Sequence, residues 1–320
     1  MFFGKQTLHI AKLNDQPTAF GYRDGKVAIL CTGPSSNMRL IVYNTVTGVQ
    51  EKDIQYSAGS TAWNSVAFLS ATEVVLASFN VDTIKHVDLG SGTVTDFTSK
   101  DFQRYASKYQ TIAVDTVNKI AMICAFTGSR VVKLDGVGMT CTNINITGIG
   151  TKVFNCIIPV PGSTNFLIGT NTGEVYEITN TGTVVKTIVL EITPNTGASI
   201  NMKICSLAMT GDNLLVGTQN GPAFHYQYST STVLQRLKCG EASTTPYGVM
   251  FSNISGGLML TAIESDSTYM QLWDVSSEPY APIDECHIAM TAFAFGGLYL
   301  DGTNGLGLIH TSGEVFGGEV

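Results

Sequence analysis

The sequence predicts an all-β fold: a single seven-bladed β-propeller over residues 1–320, built of four-stranded antiparallel blades. Three observations carry this. First, an apolar strand opens near Lys26, Glu73, Lys119, Asn165, Asn213, Leu258 and Leu298, at intervals of 47, 46, 46, 48, 45 and 40 residues. A period in that range with several short strands per unit is the pattern of a propeller. Second, these strands are apolar on both faces, as in Ile120-Ala121-Met122-Ile123-Cys124-Ala125-Phe126. Strands covered by a sheet on each side read this way, whereas half-exposed strands alternate. Third, Gly, Asn and Pro punctuate the runs at hairpin spacing, because they preset or tolerate turn dihedrals.

Each unit reads as four strands, A to D. In the clearest copy, A is Val153 to Ile158, closed by Pro161-Gly162-Ser163. B is Asn165 to Gly169, followed by Thr170-Asn171-Thr172-Gly173. C is Glu174 to Ile178, closed by Asn180-Thr181-Gly182, and D is Thr183 to Leu190. The next unit repeats this with Leu214-Leu215-Val216-Gly217-Thr218, and the last with Leu298-Tyr299-Leu300-Asp301-Gly302. C strands end alike, in Val87-Asp88-Leu89-Gly90, Leu134-Asp135-Gly136 and Trp273-Asp274-Val275. Lys100 to Tyr109 is the candidate irregular or briefly helical insert.

The ends of the chain complete the scheme. An orphan strand, Gln6 to Leu13, precedes the first A strand at Thr18 to Tyr22. Only ten residues follow the last C strand, Leu306 to His310. The amino-terminal strand is therefore expected as the outer strand of the last blade, closing the ring. The rival is that Glu314-Val315-Phe316 supplies it.

This pattern resembles the WD-repeat and YVTN-type seven-bladed propellers over nearly the whole chain, at the level of topology. One unit carries a Trp-Asp pair, Trp273-Asp274, and none carries the Gly-His pair that normally precedes it. The resemblance implies the topology, without the hydrogen-bonded tetrad those motifs build.

Composition narrows the function classes. Charged residues make up 13% of the chain, about half the usual share. Ser, Thr, Asn and Gly take their place, which suits persistent contacts with neighbours. A net charge of −7 with 18 scattered Lys and Arg argues against nucleic acid, whose phosphates call for clustered cations. No run approaches the roughly 18 apolar residues of a membrane span. The amino end lacks a charged leader followed by an apolar run, so no signal peptide is expected. The seven cysteines have irregular spacing and no CxxC pair. Most sit in apolar strands, so buried reduced thiols made in a reducing cytoplasm are expected.

The search for catalytic chemistry gives little. There is no GxSxG, no HExxH, and no phosphate-cradling loop ending in Gly-Lys-Ser/Thr. Sialidase Asp-boxes and integrin-type calcium loops are absent too, so no cofactor and no metal are expected. His9, His86, His225, His287 and His310 are scattered, and are expected as partly exposed strand residues. Two carboxylate pairs remain for acid–base work on glycans, Glu264 with Asp266 and Asp284 with Glu285. Two sequons, Asn145-Ile146-Thr147 and Asn253-Ile254-Ser255, read as chance in so polar a chain.

The rim formed by D–A and B–C loops is the usual binding face. Its longest loop, Lys100 to Tyr109, mixes rings and cations, the residue types of binding hot spots. Phe102, Arg104, Tyr105, Lys108 and Tyr109 are accordingly the candidate partner-binding residues, with packing onto the blades as the plainer alternative. Ile192 to Asn201 is the other long rim loop and is uncharged. The expected function is a non-enzymatic structural or interaction protein that docks to other proteins of a large assembly. A virion component, such as a phage tail or capsid-associated element, is the leading context. The alternatives are a glycan-binding or glycan-cleaving propeller and an intracellular WD-repeat-like adaptor.

Overall fold

A computed structural model of the chain describes residues 8–12, 16–32, 37–44, 47–57, 63–78, 82–98, 111–125, 128–190, 203–218, 223–237, 248–254, 257–263, 267–274, 279–289, 308–309 and 314–317. The described residues are almost wholly strand and turn. They form six four-stranded sheets and one three-stranded sheet.

Sheet 1 holds β2 to β5 (Gln16–Arg23, Lys26–Thr32, Asn37–Asn44, Gln50–Ser57). Sheet 2 holds β6 to β9 (Trp63–Ser70, Glu73–Ser78, Thr83–Asp88, Val94–Thr98). Sheet 3 holds β10 to β13 (Ile112–Asp115, Ile120–Cys124, Arg130–Asp135, Thr140–Asn145). Sheet 4 holds β14 to β17 (Phe154–Pro159, Phe166–Thr170, Glu174–Ile178, Val184–Val189). Sheet 5 holds β18 to β21 (Ile204–Thr210, Asn213–Thr218, Ala223–Gln227, Thr232–Leu237). Sheet 6 holds β22 to β25 (Gly248–Ile254, Gly257–Ile263, Ser267–Asp274, Ala281–Ala289). Within each, consecutive strands pair antiparallel in chain order, the meander the sequence predicts.

The terminal sheet joins the two ends of the chain. Its order is β1 (Leu8–Lys12), β27 (Glu314–Gly317), β26 (Leu308–Ile309), with Leu8 opposite Gly317 and Lys12 opposite Glu314. The amino-terminal strand lies at the edge, but it does not pair directly with the last C strand as the sequence suggested. Glu314–Gly317, which holds the rival segment Glu314-Val315-Phe316, intervenes between them as a strand of its own.

The buried side chains explain why the second strands are apolar throughout. Each cluster lies between two consecutive sheets. Val74 and Leu76 of β7 pack toward sheet 1 with Ala28, Leu30 and Leu40, whereas Val75 and Ala77 pack toward sheet 3 with Ala121, Ile123 and Val132. In β15, Phe166 and Ile168 join the sheet 3 side and Leu167 the sheet 5 side. Successive side chains of a strand point to opposite faces, so a strand between two sheets buries both sets. All five residues of β11 and of β15 are buried.

Close backbone approach sets the glycines at these junctions. A Cβ on Gly169 would come within 2.5 Å of Ile204 Cγ2 and 2.7 Å of Cys156 Sγ. One on Gly136 would meet Leu69 Cδ2 of the preceding sheet at 2.4 Å. Four of the six first strands carry a bulge near their start, between Pro17 and Ala19, Trp63 and Ser65, Phe154 and Cys156, and Ile204 and Ser206. An extra residue there bends the strand where it enters the sheet from the D–A loop.

Candidate interaction surfaces

Polar side chains tie neighbouring sheets together at intervals of one repeat. Thr18 Oγ1 donates to the Trp63 carbonyl at 2.7 Å, and Ser65 meets Thr111 hydroxyl to hydroxyl. Lys119 Nζ donates to Glu73 Oε2 at 2.7 Å. Gln235 makes a two-way bond with the backbone of Tyr280, donating to its carbonyl at 2.8 Å and accepting from its N–H at 2.7 Å. Lys186 donates to the Tyr228 carbonyl and sits 4.3 Å from that ring's centroid. Burial, reinforced by the nearby Glu177 carboxylate, pushes the Tyr228 hydroxyl well above its ordinary value. These groups hold sheets to one another and are committed to that work.

The histidines bond across strands within their own sheets. His86 Nε2 lies 3.3 Å from Glu73 Oε1, and His225 Nε2 lies 2.8 Å from Asn213 Oδ1. Asn165 and Glu177 make the equivalent cross-strand pair in sheet 4, at 2.7 Å. His86 is 5% exposed and His225 fully buried, the latter stacked on Tyr280 at 4.1 Å. The expectation of partly exposed histidines is thus corrected for these two. A third strand is still covered on both faces by its neighbours, and a buried imidazole there needs a partner, which the opening residue of the second strand supplies. His9 and His287 fall in β1 and β25, and His310 lies outside the described residues.

Two carboxylates are strongly held. Burial pushes Glu73 up, yet hydrogen bonds from Lys119, Ser70 and His86 outweigh it and its carboxyl sits below the usual range. Glu174 follows the same logic, with burial outweighed by Lys152, Thr172 and Thr170. Both are acceptors with filled coordination, unlike a general acid poised near neutrality. Burial also pushes the Cys156 thiol up, with Cys124 and Cys205 adding to it, so this thiol is an unreactive hydrophobe. Cys31, Cys124, Cys156 and Cys205 are buried and Cys141 is partly exposed, and none of the five is in a disulfide. Among the described residues, no group of three or more His, Cys, Asp or Glu is arranged to hold a metal ion.

The face made by A–B and C–D turns carries the clearest exposed apolar groups. Asp115 Oδ1 accepts from the Val117 and Asn118 N–H groups at 3.0 and 3.1 Å. Asp135 Oδ1 does the same for Val137 and Gly138, at 3.0 and 2.9 Å, and those donors hold its carboxyl low. Asp88 caps its own C–D turn through Gly90 and Ser91. In sheet 3 these capped turns present a valine each, Val117 89% and Val137 74% exposed, with Met139 38% exposed beside the second. The sequence signal is Asp-x-Val after a strand, which occurs twice within this unit. A cleft of about 80 Å³ opens on the valine-bearing face at Lys26, Glu51, Thr72 and Gly90. Ordinary small-molecule sites measure about 300–1,000 Å³, so it is no ligand pocket.

The candidate rim residues Phe102, Arg104, Tyr105, Lys108 and Tyr109 lie outside the described residues, as do Glu264, Asp266 and the expected second rim segment Ile192 to Asn201. Asp284 and Glu285 fall within β25, the outer strand the sequence assigns them. No helix among the described residues is long and apolar enough to cross a membrane.

No family model matches this sequence, and no curated protein matches it. Solved structures do. A chain of the Mitotic Checkpoint Complex superposes with a TM-score of 0.71 at 12% identity, covering 100% of this chain and 93% of that one. The computationally designed Ika8 protein superposes with a TM-score of 0.62 at 12% identity, over 99% and 100% of the two chains. At such identity the likeness concerns the fold alone: a propeller-like, WD-repeat-like arrangement of four-stranded sheets.

Proposed function

We propose that this chain is a seven-bladed propeller, closed through the pairing of β1 with β27, that serves as a non-enzymatic docking scaffold in a large protein assembly. A virion, with the chain in its tail or on its capsid, is the context that suits a sparsely charged, Ser/Thr/Asn-rich surface. The supporting observation is the pair of Asp-capped turns in sheet 3 that hold Val117 and Val137 in solvent. A valine fixed on a rigid turn loses little entropy when a partner covers it, which favours binding. The filled hydrogen bonding of Glu73 and Glu174 also suits structural carboxylates better than catalytic ones.

Isolation from the native source, with cross-linking and mass spectrometry, tests the reading. Stoichiometric partners cross-linked near residues 115–118 and 135–139, or near the 100–109 loop, are expected. A free protein with no stoichiometric partner, or one that turns over a glycan and loses that activity on Asp266→Asn, would overturn it.

A further inference from the structure

The outer strands differ in how they are protected against pairing. β5 exposes Glu51 and Asp53, β9 exposes Asp96, and β21 exposes Arg236. β13 has no charge but shows Thr140, Thr142 and Asn145 to solvent. Charges on an edge are the common device against strand addition. β17 lacks it. Its one charge, Lys186, is drawn inward to the carbonyls of Tyr228 and Ser229. What β17 shows to solvent is Val185 (56% exposed), Thr187 and Val189 (62% exposed).

The backbone has a matching vacancy. β17 ends its sheet, and no other strand pairs with it among the described residues. Leu190 N–H donates to the Gly173 carbonyl at 3.0 Å, and Ile188 and Lys186 stand opposite Val175 and Glu177. Antiparallel ladders bond at alternate residues, so Ile188 and Lys186 bond inward while Thr187 and Val189 turn their N–H and C=O outward.

The exposed residues read the same in either direction: Val185-x-Thr187-x-Val189. We propose that β17 is a self-pairing edge, joining two copies of this chain antiparallel about a two-fold axis at Thr187. Thr187 then faces itself, and Val189 of one copy falls beside Val185 of the other, the extra residue of a bulge in β17. Lys186 falls opposite Ile188, so no like charges meet. β-branched residues paired across strands are favourable, and a self-complementary patch is what a two-fold interface needs. A foreign strand would fill the hydrogen bonds equally well, but nothing in β17 selects one, whereas the palindrome selects a second copy. One short strand pair buries less than the roughly 1,200 Å² of a stable interface, so the association is weak and concentration-dependent. This edge belongs to sheet 4, whereas the Asp-capped turns proposed for docking belong to sheet 3.

Sedimentation equilibrium of the full chain and of Thr187→Lys and Thr187→Cys variants tests it. The parent should dimerise on concentration, and Thr187→Lys should weaken the dimer by at least about tenfold, since two lysines would then stand opposite each other. Thr187→Cys should form an intermolecular disulfide under mild oxidation faster than the parent and faster than Thr142→Cys on β13. Thr187 is exposed, so these variants should fold, which circular dichroism checks. A parent that stays monomeric to about 1 mM, a Thr187→Lys variant that dimerises unchanged, or a Thr187→Cys variant that cross-links no faster than Thr142→Cys would overturn the proposal.

Discussion

Lys119 and Glu73 stand 46 residues apart and bond at 2.7 Å, each opening the apolar strand of its own unit. Equivalent positions in consecutive repeats thus carry opposite charge and meet across the sheet junction. Neither is free to vary alone. Lys119 is 40% exposed and water can re-solvate it, but Glu73 also accepts from Ser70 and from His86, which is 5% exposed. Loss of the carboxylate therefore strands a buried group as well, whereas loss of the ammonium leaves Glu73 with two donors. Glu73→Leu is expected to cost about 2 kcal/mol and Lys119→Met about 1 kcal/mol. A double-mutant cycle by urea denaturation should show the two effects to be non-additive.

The same carboxylates set the response to acid. The folded-state pKa values of Glu73 and Glu174 are depressed. Their contribution is therefore complete above the unfolded value of about 4.3 and is lost as pH falls through the lower folded value. Stability should decline as pH drops below about 5. A Glu73→Gln, Glu174→Gln double variant should be less stable at pH 7 and show a shallower decline, as melting curves at stepped pH would reveal.

Packing predictions follow from strands covered on both faces. Ile168 is fully buried between sheets 3 and 4. Ile168→Ala should cost about 2–5 kcal/mol, the usual range for emptying a core site. Gly169→Ala, one residue on, fails for the opposite reason, since its methyl would enter the space of Ile204 and Cys156. Overpacking of that kind costs about 1–3 kcal/mol. Urea midpoints for both variants check this pair, and Val185→Ala on the exposed edge should move stability by less than about 0.5 kcal/mol.

Much of this fold was legible because period and polarity agree. The sequence marks the strand Glu174–Ile178 to the residue, and unbroken apolar runs mark β11 and β15. The first-strand bulges were not legible, since an extra residue such as Asn155 or Cys205 leaves no mark in a pattern already apolar on both faces. Nor was the burial of His225, which depends on Asn213 and Tyr280, two residues from different units brought to one ring. The exposed valines were written in plain sight, but an isolated surface valine is ordinary. Only the twin Asp caps, which fix the turns of Val117 and Val137 side by side in one sheet, give them meaning.

Gln235 offers a test of how sheets 5 and 6 are joined. Its amide grips both backbone groups of Tyr280, at 2.8 and 2.7 Å, just before β25 begins, and Tyr280 in turn covers His225. Gln235→Leu keeps the side-chain volume but removes donor and acceptor together, leaving a buried N–H and carbonyl without that partner. The expected cost is about 1–3 kcal/mol. Because the lost bonds bridge two sheets, the effect should not be spread evenly. Amide hydrogen exchange is expected to speed up in Ala281–Ala289 and in Thr232–Leu237, while Ile120–Cys124, two sheets away from sheet 5, keeps its protection. Uniform loss of protection across all three strands would mean that the sheets unfold as one unit and that this junction is not a separable joint.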